Sequence, residues 1–578
     1  NWHPKSNLVA NLKATLSYFR DHEIKVPEPE DGKKENGQWK IEKKEDLEAL
    51  KREEVKEIIK EIKNKKGIRM PKFSLPPSAI TMLLALSLIT YALIWPIVEM
   101  SWGVLTFRYQ LSEAVKNLEK GEFDKSLFNI TQAQRGVEEA KFIFDSLEPV
   151  RKTGLLKSQF EMGDNLSNLA ILSADSAQNT ILGIQALYQS LKAVTGESTV
   201  PPDKYFDLAA AYLASADGDL SKATALVASP YFKSSLPKLI SGRVESLSQR
   251  LAIYSGLIKK ARSISTLLPE VVALDGKKDY LILLQNNNEL RPTGGFIGSF
   301  AKVSMEGGKL RKLEVSDVYA LDGQLPIHVE PPKEIKEDLG QKDFFLRDSN
   351  WEPDFPTAAR QAEWFYTKES GERVAGVVGM DISAMEDLLK VVGPLDLPDY
   401  NEKITADNLF AKSISYAEIG FFPGSQAKKS FLTALSQGLF NKLFFLPNQN
   451  WPEIVASLGK SLDSKHLSVY LDNPKLFSYL ISQNWAGVLP RPESDSEEPI
   501  SDFLAPVEAN LGANKANYYL DRNYNLETVV GKDGDISHRL RIAYTNRSPS
   551  DAFPGGKYKN RMRVYLPFGT KLVRVLWA

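Results

Sequence analysis

A run of 26 residues without a charged side chain, from Phe73 to Val98, constrains this chain more than any other feature. A helix needs about 20 apolar residues to cross the hydrocarbon core of a bilayer, because each residue adds only about 1.5 Å to its length. A buried core helix is the alternative, but globular helices of this length usually keep a polar face. The run therefore predicts one transmembrane helix over residues 73–98.

The charges on either side of the run predict its orientation. Residues 1–72 hold 18 Lys+Arg and 14 Asp+Glu, so the formally neutral chain carries +4 before the run and −4 from it onward. Because basic residues collect on the cytoplasmic side of membrane helices, we expect a single-pass protein of the cell membrane. Its N-terminus would be cytoplasmic, and the region after about residue 99 would lie outside the cytoplasm.

Composition excludes several classes of protein. The chain has no cysteine, which rules out disulfide frameworks, zinc ribbons, iron–sulfur clusters and thiol catalysis. Its five histidines show no metal-ligand spacing. A net charge of zero does not suit a nucleic-acid-binding polycation, so we expect no nucleic-acid partner.

The first 24 residues predict an amphipathic helix, because Leu8, Leu12, Leu16 and Phe19 lie on one face. This stretch, with Trp2, Pro4, Lys5, Thr15 and Tyr18, resembles the C-terminal tail of nucleotide-sugar epimerases and dehydratases of the extended short-chain dehydrogenase family. The resemblance implies a sugar-nucleotide enzyme fused upstream of the chain, and an arbitrary amphipathic helix is the alternative. Residues 25–72 are expected to form a cytoplasmic linker and a charged helix.

Three further regions are expected outside the membrane. Residues 104–275 carry apolar stripes at spacings of three and four, which predict a helical bundle that acts as a stalk. Residues 276–505 alternate strand and helix patterns and predict a layered α/β domain. Within it, Gly307-Gly308 predicts a hairpin turn, and Asp381 or Ser383 is expected to cap a helix. Residues 506–578 show period-two alternation, clearest over residues 536–545 after an expected turn at Asp533-Gly534, and predict an antiparallel β domain that is incomplete at its end. The fold class is therefore a multi-domain α+β membrane protein.

Charged residues are concentrated at the turns of the α/β domain. Arginine binds phosphate oxygens bidentately, and paired carboxylates hold Mg²⁺ beside a pyrophosphate. We expect Arg291, Arg347 and Asp348 to be catalytic and Asp317 and Asp322 to bind Mg²⁺. The same residue types are ordinary in turns and structural ion pairs, so a structural role stays open.

The glycines at Gly294, Gly295 and Gly298 look like a dinucleotide fingerprint. Such a loop must directly follow a strand and open a helix, whereas here a polar run intervenes and a strand pattern follows. We therefore expect no NAD in this region, and we expect these glycines to allow a close backbone approach.

Two resemblances concern the extracytoplasmic part. The segments LILLQNNNELRPTGGFIGSF, SDVYALDG and RDSNWEPDFPTAARQAEWF resemble the bacterial domain of unknown function 4012 family over about residues 110–578. This resemblance implies a place in the cell envelope and no settled activity. The segment VAGVVGMDISAMEDLLKVVGPLDL is similar to the LytR-CpsA-Psr glycopolymer transferases, which implies a pyrophosphate-binding role for Arg291 and a catalytic motif at Arg347-Asp348. The Arg-x-Asp-Thr motif of those enzymes is absent, and Thr293-Gly294 stands in its place.

Two functions follow as expectations. The first is a phosphotransferase-like ligase that transfers or binds polyprenyl-pyrophosphate-linked glycan during surface glycopolymer assembly, with the membrane, the lipid-linked glycan or the cell wall as partners. It requires Arg291, Arg347 and Asp348 to meet in one place, since one pyrophosphate must reach them all. The second is a non-catalytic surface or envelope-assembly module on a helical stalk.

Overall fold

The computed structural model describes residues 77–154, 156–230, 232, 238–416, 427–445, 451–489, 502–552 and 554–576. The predictions made for residues 1–24 and 25–72 lie outside these residues. The chain separates into two compact units, residues 1–89 and residues 90–578, and only the beginning of one helix is described in the first unit.

Helices make up the described part of the chain before residue 272. They are α1 Pro77–Glu119, α2 Phe123–Ser146, α3 Glu148–Arg151, α4 Lys157–Val194, α5 Pro202–Ala228 and α6 Lys238–Val271. Small and branched residues face the contacts: Leu213 of α5 is fully buried, and a Cβ on Gly183 of α4 would lie 2.6 Å from its Cγ. The apolar stripes at spacings of three and four thus lie inside a packed helical bundle.

Helix α1 corrects the membrane prediction. It runs without a break to Glu119, carries Glu99, Arg108 and Lys116, and buries Ala114 in the bundle. Among the residues that the structure describes, no helix combines the length and the apolar character that a membrane crossing needs. The transmembrane helix predicted over residues 73–98, the membrane-protein fold class and the single-pass location in the cell membrane are therefore wrong. The physical reason is that the end of an uncharged run is not the end of a helix. The same helix continues beyond Val98 into a charged, amphipathic half.

The α/β region is built on a five-stranded sheet. The strands up to residue 471 are β1 Lys277–Asn286, β2 Phe296–Glu306, β3 Lys309–Asp317, β4 Gly376–Asp381, β5 Leu395–Leu397, β6 Glu402–Ile404 and β7 Leu467–Leu471. The sheet has the order β3-β2-β1-β4-β7, with β4 parallel to β1 and the other neighbours antiparallel, and β5 pairs with β6 separately. The predicted hairpin around Gly307-Gly308 is confirmed as β2–β3.

The strand directions place five chain segments along one side of the sheet. The ends of β1, β3 and β4 and the beginnings of β2 and β7 all lie there. We call this side the carboxyl edge, defined by Asn286, Phe296, Asp317, Asp381 and Leu467. In α/β sheets, ligands bind outside the carboxyl ends of the parallel strands.

Helices cover both faces of the sheet. They are α7 Val318–Asp322, α8 Lys333–Leu339, α9 Phe355–Ser370, α10 Ile382–Val392, α11 Leu409–Ile414, α12 Ala427–Phe445, α13 Trp451–Asp463 and α14 Pro474–Ser482, with a 3-10 turn over Leu346–Trp351. One face of the sheet packs on a core that includes Leu388 and Phe431, and the other packs on a core that includes Phe355 and Phe365. Alternating strand residues supply both cores, since Leu284 points to the first and Leu283 to the second.

Two antiparallel pairs follow: β8 Ala505–Asn510 with β11 Asn560–Tyr565, and β9 Leu520–Val530 with β10 Ile536–Asn546. The predicted turn at Asp533-Gly534 is confirmed by the β9–β10 pairing, and Gly534 has φ +85°. The carboxylate of Glu508 on β8 accepts hydrogen bonds from Arg522, Tyr524, Tyr544 and Tyr558. One side chain thereby joins β8, β9, β10 and the segment before β11.

Candidate functional site

Arg291 lies in the loop after β1 and is 3% exposed. Its Nη1 donates to the backbone oxygens of Asn510, at 2.7 Å, and Leu290, at 3.2 Å, and its Nη2 donates to Glu289 Oε1 at 3.3 Å. The other oxygen of Glu289 accepts a hydrogen bond from Lys515 Nζ at 2.6 Å. Arg291 and Lys515 therefore join the first loop of the sheet to the segment that follows β8.

Arg347 lies in the 3-10 turn and is also engaged by the protein. Its Nη1 donates to Asp322 Oδ2 at 2.7 Å and its Nη2 donates to Gln341 Oε1 at 3.2 Å. Its Nε lies 3.5 Å from Asp348 Oδ2, and its guanidinium lies 4.2 Å from the ring centre of Phe345. These contacts use most of the donors that a phosphate would need.

Asp348 is the point at which the predicted catalytic residues meet. Its side chain is fully buried, and burial raises its pKa, while the charges of Arg291 and Arg347 oppose that shift. Neither oxygen has a hydrogen bond of normal geometry, although the Gln341 amide is near enough to lower the pKa as well. The structure thus brings Arg291, Arg347 and Asp348 together, but it does so inside the protein.

The two predicted Mg²⁺ ligands make other bonds. Asp317 begins α7, where its Oδ1 accepts a hydrogen bond from the backbone N–H of Tyr319 at 2.9 Å. Asp322 pairs with Arg347, and burial raises its pKa to about 6. Within the described ranges, no three His, Cys, Asp or Glu side chains are arranged to hold a metal ion. The Mg²⁺ site stays a prediction that this donor set does not favour.

The three glycines of the fingerprint-like segment differ in what surrounds them. A Cβ on Gly295 would lie 2.2 Å from the carbonyl carbon of Asn286. Gly294 has φ +145°, and a Cβ there would lie 2.4 Å from Gln285 Oε1. Strand β2, and not a helix, follows the loop. The prediction of a close backbone approach is confirmed for Gly295, whereas Gly294 approaches a side chain and a Cβ on Gly298 would have no atom within 4 Å.

A second polar group at the carboxyl edge was missed by the sequence analysis. His466 immediately precedes β7, and its Nδ1 lies 2.7 Å from Oδ2 of Asp381, the last residue of β4. This hydrogen bond raises the pKa of His466. Asp381 is buried, whereas the His466 side chain is 36% exposed. The imidazole is thereby held by a carboxylate and still reaches the surface.

Two further side chains complete the group. Asn287 Nδ2, from the loop after β1, donates to Asp381 Oδ2 at 3.2 Å and to Ser383 Oγ at 2.8 Å. Asp381 Oδ1 also accepts a hydrogen bond from the backbone N–H of Ala384 at 3.1 Å and so begins α10. Residues from three strand ends therefore form one network, which we call the His466–Asp381 group: Asn287, Asp381, Ser383 and His466.

The sequence holds only a weak signal for this group. The sequence predicts Asp381 or Ser383 as a helix cap, and His466 stands 85 positions after its partner. The antiparallel pairing of β4 with β7 is what joins them, since the backbone N–H of Asp381 donates to the His466 carbonyl oxygen at 3.1 Å. A capping aspartate at the end of a central strand was the signal that could have pointed to the site.

Comparison with known proteins supports one of the resemblances. Residues 275–415 match the family described as "Protein of unknown function (DUF4012)". The matched range contains Arg291, Arg347, Asp348 and Asp381, whereas His466 lies beyond it. No curated protein and no solved structure gave a significant match. The resemblances to LytR-CpsA-Psr transferases and to epimerases stay predictions.

Proposed function

We propose that the α/β region is an enzyme that hydrolyses or transfers a glycan, with His466 donating a proton to the leaving oxygen. The observation that supports this most strongly is the 2.7 Å contact between His466 Nδ1 and the buried Asp381. A carboxylate behind an imidazole fixes the orientation of the ring and stabilises its charged form. The other ring nitrogen, Nε2, makes no hydrogen bond with a described residue, so it can serve a ligand.

The lining of the group supports a hydroxyl-bearing substrate. Asn287, Ser383 and His466 present an amide, a hydroxyl and an imidazole, which exchange hydrogen bonds with sugar hydroxyls. The polyprenyl-pyrophosphate carrier stays a prediction. It gains little support from Arg291 and Arg347, because both guanidinium groups already bind protein oxygens.

A non-catalytic assembly module is the second candidate. One observation favours it: the Arg291–Asn510 and Lys515–Glu289 contacts fasten the C-terminal strands to the sheet. In that case the charged residues at the turns hold the C-terminal strands against the sheet. The protein would then act by binding a partner at its surface.

Replacement of His466 by asparagine separates the two candidates. Asn keeps a donor for Asp381 but removes the second ring nitrogen, so glycan cleavage should fall by about 10²- to 10⁴-fold, the usual contribution of a general acid. The assay would incubate the full chain with defined oligosaccharides and detect new reducing ends and products by mass spectrometry. His328→Asn is the matched control, since His328 also contacts a carboxylate, Asp343, but is 60% exposed.

The control should retain wild-type activity. Equal activity of His466→Asn and the wild type, or no cleavage or transfer with any oligosaccharide, would overturn the enzymatic proposal and leave the assembly module as the better explanation.

A further inference from the structure

Glu386 is a half-buried carboxyl on the first turns of α10, one turn after Ser383. It makes no hydrogen bond or ion pair with any residue that the structure describes. Lys390, which stands one turn further on, pairs with Asp387 at 2.8 Å instead. A carboxyl in this position costs desolvation energy without a compensating partner, which is unusual for a purely structural residue.

Glu386 stands three residues after Ser383 on α10, so the two side chains share one face of the helix, and Ser383 belongs to the His466–Asp381 group. Asp387 accepts a hydrogen bond from Lys460 of α13 at 3.1 Å, which joins α13 to the exposed face of α10. Helix α13 ends at Asp463, just before His466. The charges of Asp381, Asp387, Lys390 and His466 all act on the pKa of Glu386.

The pKa values of Glu386 and His466 are both raised, and each shift suits one half of acid–base catalysis. Burial raises the pKa of Glu386, so its ionised form is a stronger base than an ordinary carboxylate. The hydrogen bond to Asp381 raises the pKa of His466, which favours the charged imidazolium. A carboxylate base and an imidazolium acid coexist at pH values between the pKa of Glu386 and that of His466.

We propose that Glu386 is the group that removes a proton from the attacking water while His466 protonates the leaving oxygen of an uncharged glycan. This inference rests on the proposed function and adds the second proton-transfer group and the class of substrate. The water oxygen bonds to the acetal carbon and its proton passes to Glu386. The bond from that carbon to the leaving oxygen breaks, and the oxygen keeps the electron pair and takes the proton from His466 Nε2. Solvent then returns the proton from Glu386 to His466, which restores both groups.

The neighbouring cations favour a substrate without phosphate. Lys390 and Lys460 both pair with Asp387, at 2.8 and 3.1 Å. Lys465 Nζ donates to the backbone oxygen of Asn484. A phosphate would require positive groups that can turn toward it, and these three lysines already have partners.

Aryl glycosides provide the test. The probes are 4-nitrophenyl and 2,4-dinitrophenyl glycosides of glucose, galactose, mannose and N-acetylglucosamine, with the full chain as enzyme. Glu386→Gln should lower kcat/KM by about 10²- to 10³-fold on both leaving groups and remove the acidic limb of the pH profile. Sodium azide should restore turnover to Glu386→Ala by forming a glycosyl azide, because azide needs no base. Glu453→Gln, an exposed glutamate of α13, is the control and should match the wild type.

The outcomes separate the two proposals. His466→Asn should lose activity on 4-nitrophenyl glycosides but retain most of it on 2,4-dinitrophenyl glycosides, whose leaving group needs no proton. Wild-type activity in Glu386→Gln, with loss in His466→Asn, overturns the role of Glu386 alone. Wild-type activity in His466→Asn overturns the proposed function and this inference with it. A folded Glu386→Ala, by circular dichroism, that azide does not rescue also overturns the role of Glu386.

Discussion

Glu508 and Asp348 are both carboxylates buried beside arginine, yet their surroundings differ completely. Glu508 accepts hydrogen bonds from three tyrosine hydroxyls and from Arg522. Burial alone would raise its pKa, but these bonds and the Arg522 charge together hold the pKa below its usual range. Asp348 has no hydrogen bond of normal geometry at either oxygen, and its pKa is raised.

The difference shows which buried carboxylate stabilises the fold and which one destabilises it through the loss of hydration. A buried charge stabilises a fold only when hydrogen bonds replace the water it has lost. Glu508 meets that condition, whereas the interior around Asp348 also holds Glu369, neither oxygen of which has a hydrogen bond of normal geometry. The first cluster should therefore govern global stability and the second should govern its dependence on pH.

Glu508→Gln should have the largest effect on stability. The amide cannot accept all the hydrogen bonds of the carboxylate and leaves Arg522 as an unpaired, largely buried charge, so the free energy of unfolding should fall by about 3–5 kcal/mol. Urea denaturation followed by circular dichroism measures this loss. Glu527→Gln is the control, because Glu527 pairs with Arg539 on the exposed side of the β9–β10 ribbon. A change of less than about 1 kcal/mol in Glu508→Gln would remove the contrast between the two clusters.

Lys515→Met should come next. The Lys515 and Glu289 side chains are 7% and 9% exposed, so removal of the lysine leaves a buried carboxylate with weaker compensation. We expect a loss of about 2–4 kcal/mol in the free energy of unfolding, measured in the same way. The double variant Lys515→Met/Glu289→Gln should recover part of that loss, because it also removes the buried carboxylate charge that Lys515 compensates. An additive double variant would show that the pair does not fasten the C-terminal strands.

Glu369→Gln should change the pH dependence of stability. Burial, with the Asp322 charge in addition, raises the pKa of Glu369 from an unfolded value near 4.5 to about 8. The folded protein therefore binds more protons between these pH values, so stability falls as pH rises from about 4.5 to 8 and levels off above 8. The wild type should lose up to about 1 kcal/mol per pH unit in this window, and the variant should lose less. Urea denaturation at a series of pH values measures the slope.

The control for that prediction is Glu337→Gln, an exposed residue of α8 whose replacement should leave the slope unchanged. An identical slope in the wild type and in Glu369→Gln would show that Glu369 titrates normally.

Local patterns predicted part of the fold, and the limits of the prediction follow from what those patterns record. Alternation over residues 536–545 predicted the strand that is β10, and the helical pattern from Ile382 predicted a cap at Asp381 or Ser383, of which the structure has Asp381. A run of uncharged residues before Glu99 records composition only, and it was mistaken for a membrane span. Local patterns are least informative about elements whose limits are set by tertiary packing.

The candidate site shows the same limit. Arg291 follows the end of β1, whereas Arg347 and Asp348 lie in the 3-10 turn between helices α8 and α9. The fold brings the three side chains together inside the protein, and their catalytic role stays a prediction. Burial decides whether such a cluster can receive a ligand, and burial is a property of the folded chain. The pairing of His466 with Asp381 depends on β7 lying antiparallel to β4, which no spacing in the sequence records.

Single replacements of the tyrosines that donate to Glu508 should have the smallest effects on stability. They measure how much each hydrogen bond to this carboxylate contributes. Tyr544→Phe and Tyr558→Phe each remove one hydroxyl, which donates to Glu508 at 2.9 and 2.6 Å respectively. Each should cost about 1 kcal/mol, since the carboxylate keeps its other donors. The double variant should lose more than the sum if the donors strengthen one another, and urea denaturation of the four proteins forms the cycle. A loss near 3 kcal/mol for either single variant would mean that the carboxylate depends on one donor. Glu508 would then be only slightly better compensated by hydrogen bonds than Asp348.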